Sequence, residues 1–234
     1  MSKTNPKPEE KEQFYENPEV IEEKIDQAEA FVTTNKNILL GVLIGIAALV
    51  AGYFFYQTYN KERNAEAERE LFSAIFFFEK DSLTQALNGD GNTTIGLLAV
   101  SNDFSGTKAA NLAKFYAGAA QLKLGQYDAA IASLEGFDGA EYLLEARKQA
   151  LIGDAYNDKG DAGQAIKYYT KAASKHPNTE FTPIYLQKLA IVQEQSGDMA
   201  GALASYERII KEFPKSDLVN RSKREVARLR QLNK

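Results

Sequence analysis

Two aspartates and one histidine are the residues of this chain that come nearest to a catalytic arrangement. Asp154 and Asp158 are four residues apart and so would share one face of a helix. Two such carboxylates can divide general acid and base work between them. His176, the only histidine, stands beside Pro177 at a turn. In a helical protein such a pair of acids is more typical of a solvated or ligand-binding face, so we expect no catalytic site.

Motifs that would carry metal or cofactor chemistry are missing from the sequence. The 234 residues include no cysteine, which excludes a thiolate nucleophile, a disulfide and a cysteine metal site. H-E-x-x-H, G-x-S-x-G and a Gly-rich phosphate loop are also absent. We therefore predict a protein that is not an enzyme and that uses no metal and no cofactor.

The net negative charge of the chain comes entirely from its N-terminal part. Residues 1–37 hold five lysines against nine acids, whereas residues 60–234 hold 23 basic and 23 acidic residues. A neutral domain provides no field that would gather nucleic acid, so we expect no nucleic-acid partner. From Lys211 onward eight basic residues face three acids. We interpret that excess as a solvated basic helix.

Residues 38–56 form an apolar run, ILLGVLIGIAALVAGYFFY, that contains neither a charge nor a proline. As a helix rising about 1.5 Å per residue, it would be about 28 Å long, close to the thickness of a bilayer's hydrocarbon core. Its aromatic end, residues 53–56 with Tyr59, suits a membrane interface. We expect residues 37–59 to be a single transmembrane helix in contact with membrane lipid.

A cleaved signal peptide and a buried core helix are the alternatives for this run. A signal peptide has a short basic segment before a shorter apolar core, and it ends in a small-residue cleavage site. Here 37 residues precede the run and carry more acid than base. The orientation is not decided by charge, because Lys24 and Lys36 on one side oppose Lys61, Arg63 and Arg69 on the other.

Small residues form a stripe along the predicted span. They recur at i, i+4, i+7 and i+11 and include a G-x-x-x-G motif: Gly41, Gly45, Ala48 and Gly52. Such a stripe lets a second helix approach closely within a membrane, although glycine is also simply common there. We therefore predict that these four residues are a helix-packing site.

The segments that flank the span have different characters. Residues 1–16 are polar and proline-containing, so we expect a disordered tail. Asn17 and Pro18 suit an N-cap and a first helical position, and apolar residues then recur at helical spacing. We expect residues 17–36 to form an amphipathic helix beside the membrane. Residues 60–87 are rich in Ala, Glu, Arg and Leu, and we expect the chain to continue as a helix there.

The remaining chain, residues 60–234, repeats with a period of about 36 residues. Turn glycines fall at Gly89, Gly125, Gly160 and Gly197, each followed by a segment rich in small or aliphatic residues. Pro177 and Pro214 close two of the units. A glycine between two amphipathic helices at this period is typical of stacked helical hairpins. We predict an all-α solenoid that ends in a charged capping helix from residue 216 to residue 234.

The pattern within the units resembles the tetratricopeptide repeat. The unit 146–177 matches best. Ile152 and Gly153 fill the leucine and glycine positions of its first helix, and Tyr156 fills the aromatic position. In its second helix Ala165, Tyr169 and Ala172 fill the small, aromatic and small positions, and Pro177 closes the unit. The next unit matches at Leu189, Ala190, Ala202, Tyr206 and Pro214, but Gln193 replaces the aromatic. The preceding unit matches at Ala117, Gly118 and Ala130, with Leu134 at the aromatic site. The unit around Gly89 is degenerate.

This resemblance implies a concave groove that binds an extended or helical peptide. In the family, positions on the first helix of each repeat line that groove. Carried onto this chain, they are Leu112, Phe115 and Leu122, then Arg147, Asp154 and Asn157, and then Ile184, Gln187 and Ile191. This mixture of apolar and polar side chains suits loose binding of unfolded polypeptides better than binding of one charged tail. Leu112 and Phe115 fit a packed core equally well, because apolar residues at helical spacing are usually buried.

The order of tail, span and repeats resembles the YfgM-type membrane-anchored tetratricopeptide proteins of Gram-negative bacteria. That resemblance covers nearly the whole chain but rests on architecture, since no short diagnostic motif exists. It implies a single-pass protein of the bacterial inner membrane with a cytoplasmic tail and periplasmic repeats. It also implies partnership with the SecYEG translocon and a PpiD-type membrane-anchored chaperone that handles newly exported polypeptides. A structural scaffold of another envelope complex, without client binding, is the alternative.

Overall fold

A computed structural model of the chain describes residues 18–139 and 142–232. The described residues are all-α, and the predicted all-α solenoid is confirmed. The helices, in chain order, are α1 (Pro18–Glu79), α2 (Leu83–Asn88), α3 (Leu97–Asp103), α4 (Lys108–Lys123), α5 (Tyr127–Glu135), α6 (Tyr142–Asp158), α7 (Ala162–Ser174), α8 (Thr182–Gln195), α9 (Met199–Glu212) and α10 (Val219–Leu232). The predicted tail 1–16 and the predicted N-cap Asn17 lie outside the described residues.

The chain divides into two compact units, residues 1–59 and residues 60–234, with the boundary inside α1. In the first unit, one continuous helix replaces the two separate elements, 17–36 and 37–59, that the sequence suggested. Neither proline nor glycine interrupts the stretch from Glu19 to Leu40. Thr33 Oγ1 donates to the Glu29 carbonyl at 2.8 Å, so this polar side chain bonds back to its own helix instead of ending it.

The first unit has the surface expected of a membrane span. The most apolar 18-residue window of α1 has a mean hydropathy of 2.5, and 0% of it is buried inside the protein. A core helix of a soluble domain would be mostly covered by its neighbours. Among the described residues, this is the one helix long and apolar enough to cross a bilayer.

In the second unit, the same turn joins the two helices of each hairpin. Each first helix ends with a residue of positive φ at C′, which in three hairpins is glycine: Gly125, Gly160 and Gly197. At the third hairpin Gly160 N donates to the Asn157 carbonyl, and Asp161 N donates to the Tyr156 carbonyl, both at 2.9 Å. These two hydrogen bonds make a Schellman motif, which satisfies carbonyls at the helix end.

The prediction that Gly89 is the turn of the first hairpin is wrong. The structure places that turn at Asp81, which has φ 57°. Asp81 N donates to the Phe78 carbonyl at 3.1 Å, and Ser82 N to the Phe77 carbonyl at 2.9 Å, as in the later hairpins. Helix α1, which continues beyond the apolar run, therefore ends at Glu79 and not near residue 87. Aspartate tolerates the left-handed region less readily than glycine does, which is why the sequence pattern missed it.

Gly89 instead begins a loop that interrupts the second helix of the first hairpin. It separates α2 from α3 and forms an isolated antiparallel bridge with Ile95. Inside the loop, Asp90 Oδ1 accepts the backbone N–H groups of Asn92, Thr93 and Thr94, each at 2.9 Å. These backbone hydrogen bonds hold the pKa of the Asp90 carboxyl at about 2. The regular 36-residue spacing of Gly89 from Gly125 was therefore a coincidence.

In the second and third hairpins, a large side chain of the second helix packs directly onto a glycine of the first helix. A Cβ added to Gly153 would lie 2.7 Å from Tyr169 Cδ1, and one added to Gly118 would lie 2.5 Å from Leu134 Cγ. Separations this short are not tolerated in close-packed interiors. The small residues at these positions therefore let the paired helices approach, as the repeat pattern predicted.

A second contact across the hairpin changes its chemistry from repeat to repeat. In the third repeat, Tyr156 stacks on Tyr168 with ring centroids 5.4 Å apart. In the fourth, Ser205 Oγ donates to Gln193 Oε1 at 2.7 Å. The second repeat has the same pair, Ser133 and Gln121, also at 2.7 Å. Loss of the aromatic at Gln193 is therefore matched by a serine on the facing helix, which pairs the partly buried amide.

The hairpins stack in chain order, and α10 covers the last of them. Val226 and Leu229 of α10 are buried in the same cluster as Tyr206 and Ile209 of α9. Leu218 and Val219 are partly buried against that cluster. Arg228 adds a polar contact by donating to Glu194 on α8 at 2.6 Å. The last hairpin is therefore covered on the side where a further repeat would stack.

Two alanines of α9 offer a matched test of the close helix approach. Ala202 is fully buried, whereas Ala204 on the same helix is exposed. Ala202→Leu should destabilise the protein by about 1–3 kcal/mol through overpacking. Ala204→Leu should change the stability by less than about 0.5 kcal/mol. Thermal unfolding of the full chain in detergent, followed by circular dichroism, measures both. Equal effects of the two variants would contradict the assigned helix faces.

Candidate functional site

A cavity of about 800 Å³ lies along the first helices of the second, third and fourth repeats. Helices α4, α6 and α8 supply most of its walls, and the turn after α4, Tyr127 of α5 and Tyr169 of α7 supply the rest. Four of the residues predicted to line a groove meet in this cavity: Leu122, Asp154, Asn157 and Ile191. The side chains are brought together because they occupy equivalent positions of stacked repeats. We call this cavity the groove.

The polar centre of the groove is an ion pair between adjacent repeats. Lys188 Nζ on α8 lies 2.6 Å from Asp154 Oδ1 and 2.7 Å from Oδ2 on α6. Tyr169 Oη on α7 donates to Asp154 Oδ1 at 2.6 Å. The Asp154 and Lys188 side chains are 21% and 40% exposed. Three helices from two repeats thus fix one carboxylate, which leaves it little capacity for a ligand.

Tyr169 acts as a permanent hydrogen-bond donor within this network. Burial raises the pKa of its phenol, and the neighbouring charge of Asp154 and the hydrogen bond to it raise the pKa further. The hydroxyl therefore stays protonated well above neutral pH. Since the same ring packs against Gly153, Tyr169 couples the hairpin core to the groove.

The groove groups that stay available to a ligand are apolar walls and two polar tips. Leu122 and Ile191 are partly buried and face the cavity from the second and fourth repeats. Between them lie the partly buried Asn157 amide and the exposed Asp158 carboxylate, to which the Asn157 Nδ2 group donates at 3.3 Å while the amide oxygen is left for a ligand. Such an arrangement can bury apolar side chains and donate or accept hydrogen bonds along a polypeptide backbone.

Phe115 was predicted as a groove residue, and that prediction is wrong. Its side chain is only 4% exposed, and its ring lies 5.3 Å from the ring of Phe137. Leu112 is partly buried and packs against two of the core clusters. The alternative interpretation of these two residues as core is therefore the one that the structure supports. Their apolar side chains turn toward the facing helices because burial there is favourable.

The other predicted groove residues lie away from this cavity. Arg147 is exposed near the start of α6. Ile184 is 41% exposed and lines a different cavity, near the C-terminal helix. Gln187 is partly buried, and its Nε2 atom has no hydrogen-bond partner among the described residues. The predicted residues that meet in the groove are therefore those nearer the C-terminal end of each first helix, whereas Arg147, Ile184 and Gln187 precede them on α6 and α8.

Sequence reasoning missed Lys188 and Tyr169 as groove residues. Tyr169 was assigned only a packing role, and its hydroxyl was overlooked. Lys188 stands 34 residues after Asp154, about one repeat period, and Arg228 stands 34 residues after Glu194 in the same way. Opposite charges at the repeat period were thus a signal for ion pairs between repeats.

In the first unit, the predicted stripe of small residues faces open space. A Cβ added at Gly41, Gly45 or Gly52 would meet nothing within 4 Å, and Ala48 is exposed. Helix packing through this stripe stays a prediction. Among residues 18–139 and 142–232, no group of three or more His, Asp or Glu side chains is arranged to hold a metal ion.

Comparisons with known proteins agree with the repeat architecture. Residues 149–174 and residues 185–216 each match a family model described as tetratricopeptide repeat. The first matched segment covers most of α6 and all of α7, and the second covers most of α8, all of α9 and the loop as far as Ser216. The chain thus contains tetratricopeptide repeats, a class of domain that serves as a protein–protein interaction module. Neither match is to an enzyme family.

The chain is also similar to Superkiller complex protein 3 of Mus musculus. The two sequences are 28% identical over 122 residues, which is 52% of this chain. The aligned part spans only 8% of the length of that relative. The likeness therefore concerns a part of this chain and a small part of the mouse protein.

The ion pair of the groove should contribute measurably to stability. In a double-mutant cycle of Asp154→Asn and Lys188→Met, we expect a coupling of about 1 kcal/mol, because the pair is partly buried and shared with Tyr169. The Asp128–Lys159 pair also joins neighbouring repeats, but the Asp128 side chain is 86% exposed. Its cycle should show no resolvable coupling. Urea unfolding of the full chain in detergent gives both values, and equal couplings would contradict the assigned burial.

Proposed function

We propose that this protein is a membrane-tethered interaction module of the bacterial inner membrane that associates with the SecYEG translocon. In this proposal the tail is cytoplasmic, α1 crosses the membrane once, and the repeats lie in the periplasm. The groove holds segments of newly exported polypeptides and assists a PpiD-type membrane-anchored chaperone in handling them.

One observation carries the proposal: a groove with apolar walls occurs on a chain whose other unit is an uncovered apolar helix. Such a helix supports anchoring, and the groove supports binding of polypeptide close to that anchor. The name of the mouse relative places that protein in a complex, which supports a role in assembly with other proteins.

The charges of the groove favour a loosely bound client. Asp154 and Lys188 neutralise each other, so neither is available to select a ligand of one sign. What stays available is the apolar surface of Leu122 and Ile191 beside the Asn157 amide. Apolar contact and backbone hydrogen bonds depend little on the sequence of the client, as an unfolded polypeptide requires.

A scaffold without client binding is the second candidate. The ion pairs Asp154–Lys188 and Glu194–Arg228 fix the first helices against one another and against α10. Because the groove is partly closed by internal contacts, it could serve as a fixed docking platform for other subunits of an envelope complex.

The proposed orientation can be tested by protease access. Protease added to spheroplasts should degrade residues 60–234 and leave residues 1–37 intact, because the membrane shields the cytoplasmic tail. Immunoblotting with a tag at each end measures the two fragments, and a cytoplasmic protein serves as the control for intact cells. A protected repeat domain would contradict both the orientation and the periplasmic role.

Client binding can be tested by crosslinking from the groove. A photoactivatable phenylalanine analogue at Asn157 should crosslink to an exported polypeptide arrested in the translocon. The same analogue at Ala129, which is exposed on α5 and does not line the groove, should give no such product. SecYEG and the chaperone should co-purify with both variants.

The outcomes separate the two candidates. Co-purifying translocon subunits without a crosslinked client would favour the scaffold. Absence of SecYEG from every preparation would overturn the proposal itself.

A further inference from the structure

The last residue of the first helix lines the groove in the second, third and fourth repeats. These residues are Lys123 of α4, Asp158 of α6 and Gln195 of α8, and each stands two residues before the turn glycine of its hairpin. Their side chains are a base, an acid and a neutral amide. We call these three residues the groove rim, and its charge differs from repeat to repeat.

The charge of Lys123 is balanced within the protein. Its ammonium lies 2.9 Å from Asp81 Oδ1, on the turn of the first hairpin. At the centre of the groove, Asp154 and Lys188 balance each other in the same way. Among the residues that the structure describes, Asp158 forms no ion pair, and its side chain is exposed. Asp158 therefore carries the charge that the groove leaves unbalanced.

The fold does not need the charge of Asp158. It is the last residue of α6, where the partial negative charge of the helix end disfavours an acid. The base next to it in sequence, Lys159, is paired with Asp128 on α5. Asp158 Oδ1 accepts the Asn157 Nδ2 group at 3.3 Å, which is a contact between neighbours in sequence. A charge that opposes the helix dipole and has no basic partner is typical of a functional position.

The polar atoms left available beside Asp158 are mostly hydrogen-bond acceptors. Asn157 Nδ2 is directed to Asp158, which leaves the amide oxygen of Asn157 for a ligand. Lys188 Nζ and the Tyr169 hydroxyl are both bound to Asp154. The negative charge of Asp158 is also among the causes that raise the pKa of the Tyr169 phenol, so its carboxylate acts on the same part of the groove. A ligand that fits here supplies hydrogen-bond donors and a positive charge.

We propose that Asp158 selects client segments in which a lysine or arginine adjoins aliphatic residues. The ammonium or guanidinium group of the client binds the Asp158 carboxylate, and the aliphatic neighbours pack against the walls formed by Leu122 and Ile191. The inference rests on the proposed function, because it names the class of polypeptide that the groove prefers. This preference adds to the apolar and backbone contacts, which depend little on the sequence of the client.

The test uses the full chain in an uncharged detergent and three peptides. The first has the sequence Gly-Ser-Leu-Lys-Leu-Ser-Gly, and the others have acetyl-lysine or glutamate in place of lysine. Each is labelled at its N-terminus with an uncharged fluorophore and amidated at its C-terminus, so the central side chain carries any charge that the peptide has.

In fluorescence anisotropy at low salt, we expect the lysine peptide to bind about threefold more tightly than the acetyl-lysine peptide, as for an exposed ion pair. This ratio should fall towards one in about 0.5 M NaCl, because salt screens exposed charges. Equal binding of the two peptides at low salt, or failure of both to bind, would overturn the inference.

Variants at Asp158 test where the cation binds. Asp158→Asn should abolish the preference for lysine, Asp158→Glu should retain most of it, and Asp158→Lys should reverse it in favour of the glutamate peptide. Because an acid at the end of α6 is unfavourable, Asp158→Asn should melt no lower than the unchanged protein, so a lost preference reports binding. A preference retained in Asp158→Asn would place the cation elsewhere and would overturn the inference.

Glu79→Gln is the matched control for the rim. Glu79 is also an exposed acid at the end of a first helix, that of the first repeat, but it does not line the groove. The variant should leave the preference for lysine unchanged. Equal effects of Glu79→Gln and Asp158→Asn would show that the net charge of the repeats attracts the peptide, and they would overturn the inference.

A wall variant separates this inference from the proposed function. Ile191→Ser should weaken all three peptides alike and leave their ratios unchanged, because it removes apolar surface without changing charge. Peptides that bind equally well to the unchanged protein, and that are all weakened in Ile191→Ser, would support the groove as a polypeptide site and refute selection by Asp158.

Discussion

The close contact between a small residue of one helix and a larger side chain of the next is the constraint on which the solenoid depends. At Gly153 the space of a Cβ is occupied by the ring of Tyr169, and at Gly118 it is occupied by Leu134. This contact sets the distance within a hairpin, and the hairpins then stack through α6 on α5, α8 on α7 and α10 on α9. Since no hairpin buries its apolar face alone, an error at one such contact would be transmitted along the array.

The groove is a consequence of that same contact. Tyr169 packs against Gly153 with its ring and bonds to Asp154 with its hydroxyl. The ring therefore belongs to the core, and the hydroxyl belongs to the groove. Lys188 extends the network to the next repeat, so two neighbouring repeats together hold the wall of the groove. A ligand that entered between Leu122 and Ile191 would meet a surface held by core packing and not by mobile loops.

The pair of side chains that faces across each hairpin differs in chemistry among the repeats. It is the stacked pair Tyr156 and Tyr168 in the third repeat and the hydrogen-bonded pair Gln193 and Ser205 in the fourth. In each case the residue on the first helix is matched by a suitable partner on the second helix, so the hairpin stays packed although the residue types change.

The sequence alone determined the all-α class, the long apolar helix and the small and aromatic positions of the third hairpin. These follow from periodicity and residue size, which act locally: nineteen apolar residues suffice for a span, and glycine suffices for a left-handed turn. The tertiary structure decided what local patterns leave open. It assigned the first turn to Asp81 instead of Gly89, because an aspartate can take positive φ when neighbouring helices require it. It also placed Phe115 in the core and Asp154 in an ion pair, since burial and pairing depend on which side chains of distant repeats come into contact.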